Sequence, residues 1–322
     1  MTIRTPLCDM LGIKYPIMLA GMGGVSYGEL AAAVSEAGGF GTLGMAGRSS
    51  EEIRREMKIV RDSTDKPFGV DLLAAVPESL ERTADIIIEG GAKAFISGLG
   101  VPPPHLVKKF HDAGLKVMNV NGTVKHARSA ERGGLDAVVA QGTEAGGHTG
   151  RIAGMALIPQ IVDAVKIPVI AAGSIVDGRG LAASLALGAQ GVWMGTRFIA
   201  TPEARAVPGY KDALLSLGED GTVITRGYTG KTCRVVRNDY TQYWESHTDE
   251  LQPFPAQFIR SMNDGANHLG ADEHTTDIDP DREFWPAGQG AGAMHELIPA
   301  GDLVRQIVAE AEEVLGRVAT LT

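Results

Sequence analysis

The sequence predicts an α/β protein, a (β/α)8 TIM barrel with a helical lid subdomain inserted after the eighth strand. Three observations carry this expectation. Short apolar runs recur from Pro16 to Met194, each followed by a glycine-rich turn. Amphipathic stretches fill the gaps between them and stop at glycine or before proline. After Ala200 the rhythm breaks, and periodicity returns only near the C-terminus. Strand–helix alternation at this spacing means a parallel sheet. Eight such units favour closure into a barrel, which gathers every strand-end loop on one face.

The strand candidates, in order, are Pro16-Ile17-Met18-Leu19-Ala20, Phe40-Gly41-Thr42-Leu43, Phe68-Gly69-Val70-Asp71-Leu72-Leu73 and Ala94-Phe95-Ile96-Ser97. Lys116-Val117-Met118-Asn119-Val120, Ala137-Val138-Val139-Ala140, Pro168-Val169-Ile170-Ala171-Ala172 and Gly191-Val192-Trp193-Met194 complete the eight. Runs this apolar suit strands buried on both faces. The helix candidates are 27–36, ending at Gly38-Gly39, and a segment opened by Ser50 with Glu51 and Glu52 in its first turn. Next come 77–89, 106–111, 124–131, 158–165 and 180–187. Glycine just past a helix end, as at Gly114 and Gly188, is a usual C-terminal signal.

Beyond the barrel, 208–217 reads as a helix, and Val223-Ile224-Thr225-Arg226 leads to Lys231-Thr232-Cys233-Arg234-Val235-Val236. The polar section 245–282 includes a disordered excursion at 272–281. Tyr228, Tyr240, Tyr243 and Trp244 either face a pocket or form the lid's own core. The amphipathic stretch 303–318 returns to the outer helices. The expected division is a barrel of 1–201 completed by 283–322, with 202–282 as lid.

Composition narrows the function. Thirty Lys+Arg against 39 Asp+Glu give a formal net charge of -9, which disfavours nucleic acid as a partner. Cys8 and Cys233 are the only cysteines and read as small buried apolar residues. The start, Met1-Thr2-Ile3-Arg4-Thr5-Pro6, shows no secretory leader, and no apolar run is long enough to span a membrane. A cytoplasmic location is the expectation. No H-E-x-x-H or paired-cysteine cluster marks a metal site.

The most informative run is Gln141-Gly142-Thr143-Glu144-Ala145-Gly146-Gly147-His148-Thr149-Gly150, directly after the sixth strand. Glycines there let backbone approach a flat ligand. His148 supplies an imidazole that can move a proton or bond an oxyanion. On the residues alone it is either catalytic or a surface histidine. Two further loops, Ala172-Gly173-Ser174-Ile175 and Met194-Gly195-Thr196-Arg197-Phe198, follow strands seven and eight, the usual phosphate corner of a barrel. Backbone N–H groups of Gly173, Ser174, Gly195 and Thr196, with the two hydroxyls, can cradle one phosphate. Arg197 reads as a phosphate partner or a neighbouring strand's ion-pair partner. Ala20-Gly21-Met22-Gly23-Gly24 forms a third loop. A mononucleotide across the barrel top is the expected ligand, because no G-x-G-x-x-G follows the first strand.

The chain resembles the FMN-dependent nitronate monooxygenase (2-nitropropane dioxygenase) family, which also holds flavin-dependent enoyl-acyl-carrier-protein reductases and NADH:quinone reductases. The likeness rests on Tyr15 to Met22, Glu36-Ala37-Gly38-Gly39, Asp65 to Val70, Glu144 to Gly150, Asp177-Gly178-Arg179-Gly180, the stretch 187–198, and Ala287-Gly288-Gln289-Gly290-Ala291-Gly292. It implies an FMN oxidoreductase. Gly21 and Met22 would line the flavin ring, with Gln141 near it and Gln289 as a ring or ribityl contact. His148 matches the family histidine before the flavin. Asp71 stands where the family often has asparagine, so its contact differs unless it is protonated. Asn119 also departs from the family and points to a substrate pocket of its own. The activity implied is oxidation of alkyl nitronates by oxygen to a carbonyl compound and nitrite. The alternative is an NAD(P)H-dependent flavin reductase of an enoyl thioester or a quinone. Expected partners are a small-molecule substrate and oxygen or NAD(P)H, with a homodimer as the candidate assembly.

Overall fold

The structure, a computed structural model, describes residues 3–74, 77–272 and 274–321. Met1 and Thr2, and Glu273 of the expected excursion, lie outside them. Eight parallel strands make one sheet: Ile17–Leu19, Gly41–Gly44, Phe68–Leu73, Ala94–Leu99, Lys116–Asn121, Ala137–Gln141, Val169–Ala172 and Gly191–Met194. The first pairs with the eighth, Met18 opposite Trp193. It meets the second through a parallel bridge between Met18 and Phe40, where Leu19 N–H donates to Phe40 O at 2.9 Å. The sheet therefore closes on itself as the barrel expected from the sequence.

Alternation along the strands sorts their side chains into two cores. Met18, Ile96, Met118, Val139 and Ile170 fill the barrel interior. Ile17, Leu19, Val138, Val169 and Val192 face the surrounding helices. The sequence reading did not include the helix Pro6–Leu11. Its Leu7, Cys8 and Leu11 are fully buried in the interior core and plug the bottom of the barrel. Cys8 and Cys233 are both free and buried.

Local chemistry sets the helix ends. Ser49, one residue before the expected start, caps Ser50–Ser63 in a reciprocal capping box with Glu52. The Asp177 carboxylate accepts from the N–H groups of Arg179 and Gly180 and starts Gly178–Ala186. The C-terminal helix Ala300–Ala319 packs on that helix and on Gly28–Glu36. A Cβ at Gly178 would fall 2.3 Å from Glu310 Cβ, so only glycine permits this approach.

The segment after the eighth strand holds more than helices. Between Pro208–Ser216 and Asp239–Ser246 lies a hairpin of Thr222–Thr225 with Cys233–Val236. Its β-branched residues suit a strand better than a helix. Gly147–His148 adds a third strand, with Cys233 opposite His148 and Arg234 opposite Gly147. Tyr228, Tyr240 and Trp244 form a separate small core, and Tyr243 is exposed. These aromatics are therefore the lid's own packing. Asp272 and residues 274–281 make hydrogen-bonded turns, such as Thr275 N–H to Asp272 O at 3.0 Å. Among the described residues, no helix is long and apolar enough to cross a membrane, and no cluster of His, Cys, Asp or Glu is arranged to hold a metal.

Candidate active site

A cavity of about 400 Å³ opens at the C-terminal mouth of the barrel, beneath the lid. Ala20, Gly21, Met22, Asp71, Gln141, Gly146, Gly147, His148, Ala172, Gly173, Ser174, Gly195 and Thr196 all line it. Strand alternation aims several of them. Gln141 continues the inward series Ala137–Val139, and Ala172 follows Ile170. Gln289 is not brought in. Its side chain is exposed, and its N–H donates to Glu144 O at 3.0 Å. The 3-10 turn Gln289–Ala293 turns Gly288, Gly290 and Ala291 toward the cavity instead.

The phosphate-corner loops are largely backbone. Gly173 has φ 117° and Ser174 φ 52°, a turned conformation that is unusual for serine. Among the described residues, the N–H groups of Gly173, Ser174 and Gly195 meet no protein acceptor. The Ser174 hydroxyl differs from the expectation. It donates to Glu144 O at 3.1 Å and accepts from Gly290 N–H at 2.9 Å, so its proton is engaged within the protein. Thr196 Oγ1 accepts from Gly288 N–H at 3.0 Å, which leaves its proton for another acceptor. Arg197 is buried and donates to the carbonyls of Ala200 and Glu296, away from the cavity.

Asp71 sits in the barrel mouth, 6% exposed. Its Oδ1 accepts from Gly98 N–H at 3.1 Å. Burial holds its carboxyl well above the usual carboxylate range, against a smaller opposing effect from that hydrogen bond. In the protonated form it carries an O–H donor, as an amide carries N–H. A Cβ at Gly21 would lie 2.2 Å from Asp71 Cβ, so glycine at 21 makes room for the carboxyl. Asn119 does not line the cavity. It turns outward and donates to Ser97 O and Gly100 O at 3.1 and 2.6 Å, bracing the loop after the fourth strand.

His148 is held by the lid rather than carried on a free loop. Its backbone pairs with Cys233, and its Nε2 lies 3.0 Å from Thr229 Oγ1. The ring is open to the cavity yet walled by protein. Desolvation, then the nearby Lys231 ammonium, lowers its pKa and favours the neutral imidazole. Sequence reasoning missed Thr229, Tyr210, Phe258, Trp285, His268 and Glu283, which also line the cavity. Tyr210 lies on an expected helix whose cavity face the sequence does not mark, and the others come from a region without period. Glu283 is 3% exposed, and its Oε2 lies 2.6 Å from His268 Nδ1. Its other oxygen accepts His268 N–H at 2.8 Å.

With this geometry in hand, the relatives are informative. The family model for nitronate monooxygenase matches residues 4–310. A probable nitronate monooxygenase of Staphylococcus saprophyticus is 32% identical over 98% of this chain and 100% of its own. A (3aS,4S,5R,7aS)-5-hydroxy-7a-methyl-1-oxo-octahydro-1H-indene-4-carboxyl-CoA dehydrogenase of Mycobacterium tuberculosis is 40% identical, covering 76% of this chain and 70% of its own. The solved structure of FabK from Thermotoga maritima superposes with a TM-score of 0.89 at 33% identity, over 100% of both chains. A nitroalkane oxidase from Streptomyces ansochromogenes gives 0.83 at 30%, over 97% of this chain and 99% of its own. The chain belongs to the nitronate monooxygenase family and is an FMN-dependent oxidoreductase of the superfamily that joins those enzymes to flavin enoyl reductases.

Proposed function

We propose that the protein reduces an enoyl thioester with electrons from NAD(P)H, with quinones as a further acceptor class. The observation that carries this is the charge of the cavity. Among the described residues, its wall holds no lysine or arginine, and His148 is biased toward the neutral ring. A nitronate anion would lose hydration there without gaining net positive charge, because the Glu283 carboxylate offsets a proton on His268. A neutral thioester needs only hydrogen bonds and apolar surface, which Phe258, Phe284 and Trp285 supply. The 40% identity to a carboxyl-CoA dehydrogenase supports the same reading. Nitronate oxidation by oxygen is the second reading, supported by the full-length likeness to a probable nitronate monooxygenase.

FMN fits the residues present, because the unpaired N–H groups of Gly173, Ser174 and Gly195 suit its phosphate. Thr196 adds its hydroxyl. Gly21, Met22 and Gln141 would flank the ring beside Asp71, with Gly146, Gly147, Ala20 and Ala172 completing the floor. When bound, FMN supplies the two-electron relay between nicotinamide and substrate. His148 hydrogen-bonds the substrate carbonyl as a neutral imidazole, its ring steadied by Thr229. The lid, 202–282, excludes water.

The test mixes the anaerobic holoprotein with NADH, NADPH and propyl nitronate in turn, then with crotonyl-CoA. Rapid bleaching by a nicotinamide and reoxidation by crotonyl-CoA are expected. Bleaching by the nitronate alone overturns the reading. His148→Asn should keep its flavin and slow the acyl step by about 10²–10³-fold, as loss of an oxyanion donor does.

A further inference from the structure

Reduction of an enoyl thioester needs a proton as well as a hydride. His148 is poorly placed to be an acid. Its Nε2 is tied to Thr229, and desolvation beside the Lys231 ammonium favours the neutral ring. A second imidazole on the same cavity wall is built differently. Glu283 grips His268 twice, by the backbone N–H at 2.8 Å and by the ring Nδ1 at 2.6 Å. The carboxylate is buried, and the Asn238 side-chain amide donates to the Glu283 carbonyl at 3.0 Å, so the clamp is itself anchored. The His268 loop lies against the barrel: a Cβ at Gly24 would fall 2.7 Å from Gly270 N. With Nδ1–H given to the carboxylate, Nε2 is the position where a proton is gained or given. Among the described residues Nε2 has no protein partner, and both members of the pair line the cavity. A clamp that served folding alone would not need its imidazole on that wall.

We propose that His268, oriented by Glu283, is the proton donor of the acyl half-reaction, an inference that rests on the reductase reading. The β-carbon gains the hydride that originates in NAD(P)H. The Nε2–H bond of His268 breaks, its electron pair stays on nitrogen, and the α-carbon gains the proton. The neutral ring keeps Nδ1–H on Glu283 and regains a proton from water. The site thus takes an α,β-unsaturated acyl thioester with its α-carbon toward the lid.

The experiment separates the two half-reactions of the FMN-loaded protein by anaerobic stopped flow. His268→Gln should be reduced by NAD(P)H within about twofold of wild type. Its reoxidation by crotonyl-CoA should slow by roughly 10²–10⁴-fold, the usual effect of losing a general acid. Glu283→Gln keeps an acceptor for the His268 N–H but presents an amide to Nδ1. Nitrogen-15 spectra should then show the ring proton moved from Nδ1 to Nε2, with reoxidation slowed at least tenfold. In wild type the His268 nitrogen shifts should also respond to butyryl-CoA. Unchanged reoxidation in His268→Gln, at full flavin content and melting temperature, overturns the proposal. Should His268→Gln not fold, a normal rate in Glu283→Gln with the tautomer moved overturns it equally. Wild type that crotonyl-CoA never reoxidises removes the reductase reading itself, and the proton donor with it.

Discussion

The barrel mouth and the lid that covers it use polar groups in opposite ways. At the mouth the donors are backbone: the N–H groups of Gly173, Ser174 and Gly195, residues that line the cavity, have no protein acceptor among the described residues. In the lid the polar donors are side chains, and the lid's own backbone carbonyls take them up. Tyr228 Oη donates to Arg282 O at 2.8 Å, Asn238 Nδ2 donates to Glu283 O at 3.0 Å, and Ser261 Oγ donates to Tyr228 O at 2.9 Å. The difference teaches where a ligand can be held. Strands fix the backbone donors without help from side chains, so they remain available to an anion. The lid has a small apolar core, so its fixed shape depends on its buried hydrogen bonds, and its ligand-facing groups are few.

The largest test of this contrast is Gly195→Val. The φ of Gly195 is −106°, so valine is not excluded by the backbone. Its Cβ would point between Met22 Sδ at 3.2 Å and Ala20 Cβ at 3.5 Å, at the cavity wall. The barrel should fold and flavin affinity should fall at least about a hundredfold, the equivalent of about 2.7 kcal/mol. Fluorescence titration of the apoprotein with FMN measures this. Retained affinity would mean the mouth does not hold the cofactor.

Asp71→Asn is next. Below the ordinary carboxylate pKa both folded and unfolded chains hold the Asp71 proton. Above it the unfolded chain releases the proton while the buried group keeps it, since burial raises the folded pKa. The folded state then binds more protons, so stability falls as pH rises, by about 1.4 kcal/mol per unit, until the folded pKa is passed. Asparagine removes that slope. Urea unfolding from pH 4 to 8 should show the variant gaining on wild type as pH rises. Parallel curves would mean that Asp71 is ionised in the fold.

On the lid side, Tyr228→Phe removes a hydroxyl that also accepts from Asn238 Nδ2 at 2.9 Å. Loss of this buried donor and acceptor should cost about 1–3 kcal/mol. Amide exchange should quicken in Asp239–Ser246 and the hairpin while the barrel strands keep their protection. Exchange that quickens equally in barrel and lid would show that the two regions share one network.

The same contrast explains what the sequence disclosed. Every barrel strand was legible, because burial on both faces leaves uninterrupted runs such as Ala137-Val138-Val139-Ala140. The mouth was legible in its glycines, because each follows a strand and marks a close approach. Gln289 misled because a side chain was credited where the turn offers Gly288 and Gly290. Asn119, noted as a departure from the family, braces the loop after the fourth strand instead of lining the cavity, a placement that its residue type does not disclose. The lid was opaque. Its buried polar residues carry no period, and the pairing of His268 with Glu283 joins residues that only the tertiary fold brings together. The plug helix Pro6–Leu11 was too short to announce itself by periodicity.

The smallest expected effect is that of Ser174→Ala, and it distinguishes two accounts of one hydroxyl. Were Ser174 Oγ a phosphate donor, its loss would remove a hydrogen bond to a charged group, about 1.5–3 kcal/mol. The structure gives its proton to Glu144 O and its lone pair to Gly290 N–H, so it ties the sixth-strand loop to the returning 288–290 loop. Removing it leaves the backbone donors in place. Flavin affinity should therefore drop by less than about tenfold, the worth of a neutral hydrogen bond of about 0.5–1.5 kcal/mol. The loosened tie has its own signature. In the FMN-free protein, amide exchange at Gly290 should quicken in the alanine variant, because that N–H has lost its acceptor. A phosphate donor would leave exchange in the FMN-free protein unchanged and weaken binding more. Finding that pair of results would return Ser174 to the phosphate and leave Gly290 without its partner in the bound state.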